Sequence, residues 1–412
     1  MVKQNSFKRE NSFKEKIKEV LERAIEKIYP SKEALEKVLL SGRKLTIYLG
    51  VDPTSPHLHL GHAVNLLVLK RFQKLGHKVI FLVGDFTARI GDPSGRLAGR
   101  KPLTEEEVKK NFKTFKSQVS RIISFSGTNP AKIKFNSSWY KKMALPEFIK
   151  LAQIFTLQQM IERDMFQKRL KTGRSIGLGE FLYPLLQGYD SAALDVEAEI
   201  GGVDQTFNML VGRTLLKILK NKEKFVLAVK LLVNPRTGRK ISKSEGGLIN
   251  LDDSPKEMFG KVMAFDDEGM FVLAELCTEM DIKRFGSFKK QVAQNKINPR
   301  DAKTEIAFEI VKLYWNKKEA QKARKEFFRI FSQKKMPEEM PAIKIAKKAI
   351  NILDLLTLSG VKSKSEARRL IFQDAVKINK EVVKDWRIKI KIINGMIIQV
   401  GKRKFVKITS KV

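Results

Sequence analysis

Two short stretches of this 412-residue chain carry side chains suited to reaction at a phosphate. Residues 52–62 read DPTSPHLHLGH, which puts three of the chain's four histidines in one loop and sets His59 and His62 on either side of Gly61. Helical spacing begins at once in residues 61–75 (GHAVNLLVLKRFQKL). The loop therefore delivers the histidines to a helix N-terminus, where unpaired N–H groups and a partial positive charge accept a triphosphate. Gly61 permits close backbone approach, and the imidazoles can donate hydrogen bonds as negative charge develops on an α-phosphate. Taken alone, the loop reads equally as a metal-binding pair or as a turn whose polar groups satisfy one another. Residues 240–244 read KISKS, with Gly238 before them and Gly246 and Gly247 after. A loop bounded by glycines can close, and the ammonium groups of Lys240 and Lys243 can converge on one pyrophosphate. In so lysine-rich a chain KxxKS says little by itself; its weight lies in following the histidine loop in this order.

The elements around these residues are legible as patterns. Residues 44–51 (KLTIYLGV) predict a buried strand, residues 61–75 a helix and residues 78–84 (KVIFLVG) a second strand. A strand, helix and strand joined by a right-handed crossover imply a parallel sheet that binds ligands at its carboxyl edge. Ahead of this unit, residues 1–12 are polar and expected to be mobile, and residues 14–28 predict a charged helix that ends before Pro30. Residues 105–174 are mainly helical in pattern, including 145–170, and interrupt an alternation that resumes over 180–231. Residues 255–335 predict helices with basic faces, Pro337 and Pro341 mark a linker, and a small module follows.

Composition bounds the partners. With 42% hydrophobic and 31% charged residues the chain is of the ordinary globular kind. Lys plus Arg number 81 against 45 Asp plus Glu, a net charge of +36. Such a surplus attracts polyanions, nucleic acid first among them, although a general lysine bias on solvated faces would produce it too. Cys277 is the single cysteine, which excludes an intramolecular disulfide framework and a multi-cysteine zinc site. The start of the chain, rich in Lys and Glu, reads as neither signal peptide nor membrane anchor, and a cytoplasmic location with no membrane partner is expected.

HLGH and KISKS together resemble the two signatures of class I aminoacyl-tRNA synthetases. Within that class YLGVDPTSPHLHLGH, VGDFTARIGDPSGR, YPLLQGYD and GGVDQTFN resemble the tyrosyl branch in order and spacing, over roughly residues 44–250. The resemblance implies an α/β fold: a Rossmann-type parallel-sheet catalytic domain over 1–254 with a helical insertion at about 105–175. An α-helical anticodon-binding domain over 255–336, a linker at 337–342 and a small α+β RNA-binding domain over 343–412 would follow. It also implies activation of L-tyrosine by ATP, with Mg2+ on the departing pyrophosphate, then transfer to tRNA(Tyr) by a homodimer. No covalent enzyme intermediate and no protein-held metal are expected.

Specificity turns on Tyr183, Gln187 and Asp190, which at i, i+4 and i+7 share one face of a helix. That polar stripe is either a solvated face or a pocket wall. The resemblance implies that Tyr183 and Gln187, with Asp92, hold the amino group, and that Asp190 and Tyr48 bind the phenolic hydroxyl. Gly50, Asp52, Gly202, Asp204 and Gln205 would line the amino acid and ribose. Thr54 and His59 would face the phosphates, with Gly61, His62 and Ser242 near the nucleotide, and Lys240 and Lys243 would arrive on closure. A tryptophanyl enzyme, or an RNA-binding paralogue that has lost catalysis, is the alternative; intact His59, His62, Lys240 and Lys243 speak against the second. Residues 351–411 include LLTLSGVKSKSEARRLIFQDAVKINKEVV, which resembles the small RNA-binding (S4-like) domain first described in a ribosomal small-subunit protein. Residues 342–412 hold 18 Lys plus Arg against 5 Asp plus Glu, and Lys364, Arg368 and Arg369 fall along one side of a helix, as phosphate contacts require. A basic appendage of no specific role is the other reading.

Overall fold

The computed structural model describes residues 2–94, 102–235, 238, 248–331, 340–401 and 404–410. Lys240, Ser242 and Lys243 lie outside the described residues. By its internal contacts the chain forms two compact units, Met1–Gln321 and Lys322–Val412.

The first unit is built on six strands: β1 (Ile25–Tyr29), β2 (Thr46–Val51), β3 (Lys78–Val83), β4 (Lys132–Phe135), β5 (Ala198–Gly202) and β6 (Phe225–Val229). They lie in the order β1-β6-β5-β2-β3-β4. All neighbours run parallel except β1, which is antiparallel to β6. β2, β3 and β6 are nearly continuous apolar runs, and β5 is buried throughout, because helices cover both faces of a parallel sheet. From β2 the chain builds outward through β3 to β4 and then returns to place β5 on the other side of β2. This reversal opens a crevice beyond the carboxyl ends of β2 and β5, where ligands of such sheets bind. The expected strand, helix and strand unit is present as β2, the helix Leu60–Lys74 and β3.

Two expectations are corrected here. Residues 25–29 form strand β1 rather than the end of a helix, and the preceding helix spans Val2–Glu22, including the polar start that was expected to be mobile. Ala24 adopts φ 66°, a conformation that ends a helix, and β1 then hydrogen-bonds along the edge strand β6. Within the mainly helical stretch, Lys132–Phe135 is a strand that extends the sheet beside β3. The helical pattern of residues 145–170 is realised as three short helices, Leu145–Ala152, Leu157–Ile161 and Asp164–Lys171.

Helices Pro255–Met263, Gly269–Cys277, Ile282–Ala293 and Pro299–Tyr314 lie in the first unit, and Gly269–Cys277 packs against Leu60–Lys74. The second unit has a five-stranded and a two-stranded sheet, the helices Ile352–Leu358 and Lys364–Phe372, and residues 322–331 of the helix Lys317–Phe331. Its own core includes Leu355, Leu356, Ala367, Ile371 and Ile398, consistent with an independent α+β module.

Candidate active site

A cavity of about 410 Å³ sits in the crevice at the carboxyl edge of β2 and β5. Every singled-out residue of residues 48–205 lines it. β2 contributes Tyr48 and Gly50 and leads into Asp52 and Thr54; β5 ends in Gly202, and the residues after it contribute Asp204 and Gln205. The helix Leu178–Leu194 presents Tyr183, Gln187 and Asp190 to the cavity. Tyr183 and Asp190 are buried, so the polar stripe is a pocket wall and not a solvated face.

His59 caps the helix Leu60–Lys74 in a way that fixes both imidazoles. Its Nδ1 accepts from the Gly61 N–H at 3.1 Å, and the His59 N–H donates to His62 Nδ1 at 3.2 Å. With both Nδ1 atoms accepting, each neutral ring carries its proton on Nε2 and can donate from there. Burial lowers His59 to about 4 and, with the His59 charge, holds His62 well below the ordinary histidine range. Both rings are therefore neutral donors near pH 7. A Cβ on residue 61 would come within 2.9 Å of the His59 ring, which is why glycine stands there. Gln118 from the inserted segment clamps this loop, accepting from Leu58 N–H and donating to Pro56 O, each at 2.8 Å.

The chain that follows the KISKS segment is hydrogen-bonded to the histidine loop. Leu60 N–H donates to Ile249 O at 3.0 Å and Leu251 N–H to Leu58 O at 2.7 Å, around a bridge between His59 and Asn250. Leu231 and Leu232, which precede that segment, line the cavity.

Asp190 is held by three donors that the sequence did not point to. Tyr140 O–H and Trp139 Nε1–H reach Oδ1 at 2.8 Å and 3.0 Å, and Asn136 Nδ2 reaches Oδ2 at 3.3 Å. Burial raises its carboxyl well above the usual range, against the pull of these donors. A carboxyl group offers about four hydrogen-bonding positions, so one remains for a ligand. Asp52 accepts from Tyr183 O–H at 2.8 Å and from Thr87 at 2.7 Å, tying the wall of the pocket to β2 and to the turn after β3. Gln205 donates to Asp92 at 2.7 Å, and Asn208 donates to the Gln187 side-chain oxygen at 2.8 Å. Asn65 also lines the cavity, and its Oδ1 has no hydrogen-bond partner among the described residues. Nothing in its sequence context distinguishes it from a surface amide.

In the second unit Lys364, Arg368 and Arg369 are exposed on the helix Lys364–Phe372. Lys364 pairs with Asp354 at 2.6 Å, and the Arg368 guanidinium lies 3.9 Å from the centre of the Trp386 ring. Arg368 is thus held in place while its charge faces outward.

The histidines make a prediction about acid stability. Their folded pKa values lie below the unfolded value, so the stabilisation is full above about pH 6.5 and is lost as pH falls through the folded values, about 4 for His59. The melting temperature should hold between about pH 8 and 6.5 and decline below that. In His62→Gln the decline between about pH 6.5 and 4 should be shallower. An equally steep decline in the variant would contradict the assignment of neutral rings.

Residues 40–332 match the family model of class I tRNA synthetases (W and Y), and residues 332–408 match the model of the tyrosine–tRNA ligase SYY-like C-terminal domain. The chain is 42% identical to a tyrosine–tRNA ligase of Carboxydothermus hydrogenoformans, over 95% of this chain and 97% of that one. It is 40% identical to that of Thermotoga maritima, over 95% and 96%. Among solved structures it resembles a C-terminally truncated mitochondrial tyrosyl-tRNA synthetase of Aspergillus nidulans. The TM-score is 0.66 at 24% identity, covering 80% of this chain and all of that one. The tyrosyl-tRNA synthetase of Archaeoglobus fulgidus complexed with L-tyrosine matches with a TM-score of 0.58 at 22% identity, over 76% and 99%.

Proposed function

The chain belongs to the tyrosine–tRNA ligases within class I of the tRNA synthetases, and from that premise we propose that its cavity activates L-tyrosine with ATP and passes the tyrosyl group to tRNA(Tyr). The observation that carries this reading is the convergence of the neutral His59 and His62 and the Tyr183, Gln187, Asp190 wall on one cavity. The ring of tyrosine enters between β2 and the wall helix, with its hydroxyl toward Tyr48 and Asp190. Its ammonium group sits among Tyr183, Gln187 and Asp92, which together with Gln205 offer hydrogen-bond acceptors at the right end. The tyrosine carboxylate attacks the α-phosphorus in line, and pyrophosphate leaves. His59, His62 and Thr54 stabilise charge on the phosphates, while Gly50, Asp52, Gly61, Gly202 and Asp204 shape the nucleotide side. Catalysis is positioning and charge neutralisation rather than covalent chemistry.

Lys240 and Lys243, with Ser242 between them, close over the pyrophosphate; the hydrogen-bonded stem at Ile249 and Leu251 supports this by anchoring the following chain against the histidine loop. Magnesium, carried on the ATP phosphates, supplies further charge neutralisation. The donors at the helix start are imidazole and backbone N–H groups, which suit phosphate oxygens rather than the ion itself.

The helices of 255–336 are assigned to the anticodon stem, and the module of 343–412 to RNA through Lys364, Arg368 and Arg369. Leu145, Ile149, Leu157 and Leu178 are large apolar side chains left exposed on the inserted segment and the wall helix, which supports a homodimer closed over that face. No helix among the described residues is long and apolar enough to cross a membrane, and a cytoplasmic setting suits the substrates. The test is charging: labelled tyrosine should become acid-precipitable on tRNA in the presence of ATP and magnesium. Activation without charging, or charging by tryptophan, would overturn the reading.

Removing residues 343–412 should leave activation intact and lower transfer to tRNA. Each lost phosphate contact should also reduce the slope of log affinity against log salt by about 1. Exchange, charging and melting measured on the truncated chain check this. Parallel loss of both half-reactions would show that the module props up the fold instead.

A further inference from the structure

Beneath the tyrosine pocket lies a buried ion pair that the proposed chemistry does not use. Lys224, just before β6, is 0% exposed and forms a hydrogen-bonded pair with Glu199 of β5, whose side chain is 3% exposed. Lys224 Nζ also donates to Ser191 Oγ on the wall helix at 2.7 Å. The space for the ammonium group is built by glycines. A Cβ on Gly212 would come within 2.7 Å of Lys224 Nζ, 2.9 Å of Ser191 Oγ and 3.1 Å of Gly188 Cα. Two helices therefore meet at Gly188 and Gly212 and leave room for one charged tip. Burying a charge pair is costly and stabilises a fold little by comparison with apolar packing, so its placement invites a role beyond stability.

From the pair, hydrogen bonds lead to both ends of the pocket. Glu199 Oε1 accepts from Gln187 Nε2 at 3.3 Å, and Glu199 Oε2 is 3.3 Å from Ser191 Oγ. Ser191 Oγ is in turn 2.9 Å from the Tyr48 hydroxyl. The proton directions follow from what each group can do. An ammonium only donates, and a carboxylate only accepts. Ser191 therefore accepts from Lys224, donates its single proton to Glu199, and has one lone pair left, which takes the proton of Tyr48. The Tyr48 oxygen then faces the cavity as an acceptor. On the other side Glu199 holds the Gln187 amide with its NH2 turned inward, and Asn208 fixes the Gln187 oxygen at 2.8 Å.

We propose that Lys224 and Glu199 act as positioning residues for tyrosine selection: through Ser191 they set the Tyr48 hydroxyl as an acceptor for a ligand O–H, and through Gln187 they set the contact to the ammonium group. This rests on the tyrosine reading of the pocket. Phenylalanine offers Tyr48 no proton, and the acceptor is left buried and unpaired. Lys224 does not line the cavity; Glu199 does, and its hydrogen bonds run to Gln187 and Ser191.

The test uses the double variant Lys224→Met, Glu199→Gln, which removes both charges together, because Lys224→Met alone would strand a buried carboxylate and report stability instead. In pyrophosphate exchange the double variant should raise the tyrosine KM about tenfold and lower the tyrosine-over-phenylalanine ratio of kcat/KM by about tenfold or more. The ATP KM should stay within about a factor of two, a split that a purely structural role would not produce. A folded double variant that retains both the tyrosine KM and the ratio overturns the proposal. Where the double variant does not fold, Ser191→Ala decides: it keeps the ion pair, frees the Tyr48 proton and should lower the same ratio. An unchanged ratio in Ser191→Ala overturns the proposal equally. An unmodified chain that ignores tyrosine refutes the substrate reading, whereas an active chain with indifferent variants refutes only the positioning role.

Discussion

Asp190→Ala raises the tyrosine KM by about 10²-fold and leaves the ATP KM within about a factor of three. Asp190 is buried on the wall helix, and three of its acceptor sites are already taken by Tyr140, Trp139 and Asn136. The position left over on the carboxyl is the one that would meet the ligand hydroxyl, whose own proton goes to Tyr48. Its loss acts on bound tyrosine in the ground state, so it appears in the tyrosine KM and in discrimination against phenylalanine. A site built around a hydroxyl rejects the analogue that lacks it by on the order of 10⁵; tyrosyl synthetases are the case from which that magnitude comes, and it is borrowed from them here. The same substitution strands the Trp139 N–H in the interior, at a cost of about 1–3 kcal/mol, while Tyr140 O–H keeps Leu186 O as an acceptor, so the melting temperature should fall as well. Thermal melting alongside the KM values separates the two effects. An Asp190→Ala chain with an unchanged tyrosine KM would remove Asp190 from the pocket's chemistry.

Lys243→Ala should do the opposite: slow activation by about 10²- to 10³-fold with little change in tyrosine affinity. The lysine is assigned to charge that builds on pyrophosphate only as the α-phosphorus is attacked, and interactions made only in the transition state appear in kcat. Single-turnover formation of the adenylate, measured against tyrosine and against ATP concentration, checks the division. Equal defects in tyrosine affinity for Lys243→Ala and Asp190→Ala would contradict it.

What the sequence disclosed and what it hid follow from range. β2, the helix Leu60–Lys74 and β3 are legible because each is a continuous local pattern, and the lining of the cavity by His59, Gly61 and His62 follows from the motif at the start of that helix, whereas the pattern at Tyr183 left a solvated face and a pocket wall both open. Strand β4 was not legible: KIKF alternates lysine with apolar residues over only four positions, and it becomes a strand through pairing with β3. β1 reads as helix in the sequence because its Lys and Glu favour one, and neither the reversal at Ala24 nor the partner strand β6, some 200 residues away, is written locally. The partners of Asp190 lie about 50 positions earlier in the chain and carry no motif. Lys224 is the extreme case. It is one of 81 basic residues, and only the fold shows that this one is buried against Glu199.

Amino-acid-dependent exchange of labelled pyrophosphate into ATP, run on the full chain with tyrosine, phenylalanine and tryptophan in parallel, tests tyrosine recognition by this cavity most directly. Tyrosine should support rapid exchange, and phenylalanine and tryptophan should support exchange slower by several orders of magnitude at equal concentration, because neither carries a phenolic hydroxyl to meet Tyr48 and Asp190. Exchange with tryptophan comparable to that with tyrosine, or none with tyrosine, would contradict the assignment.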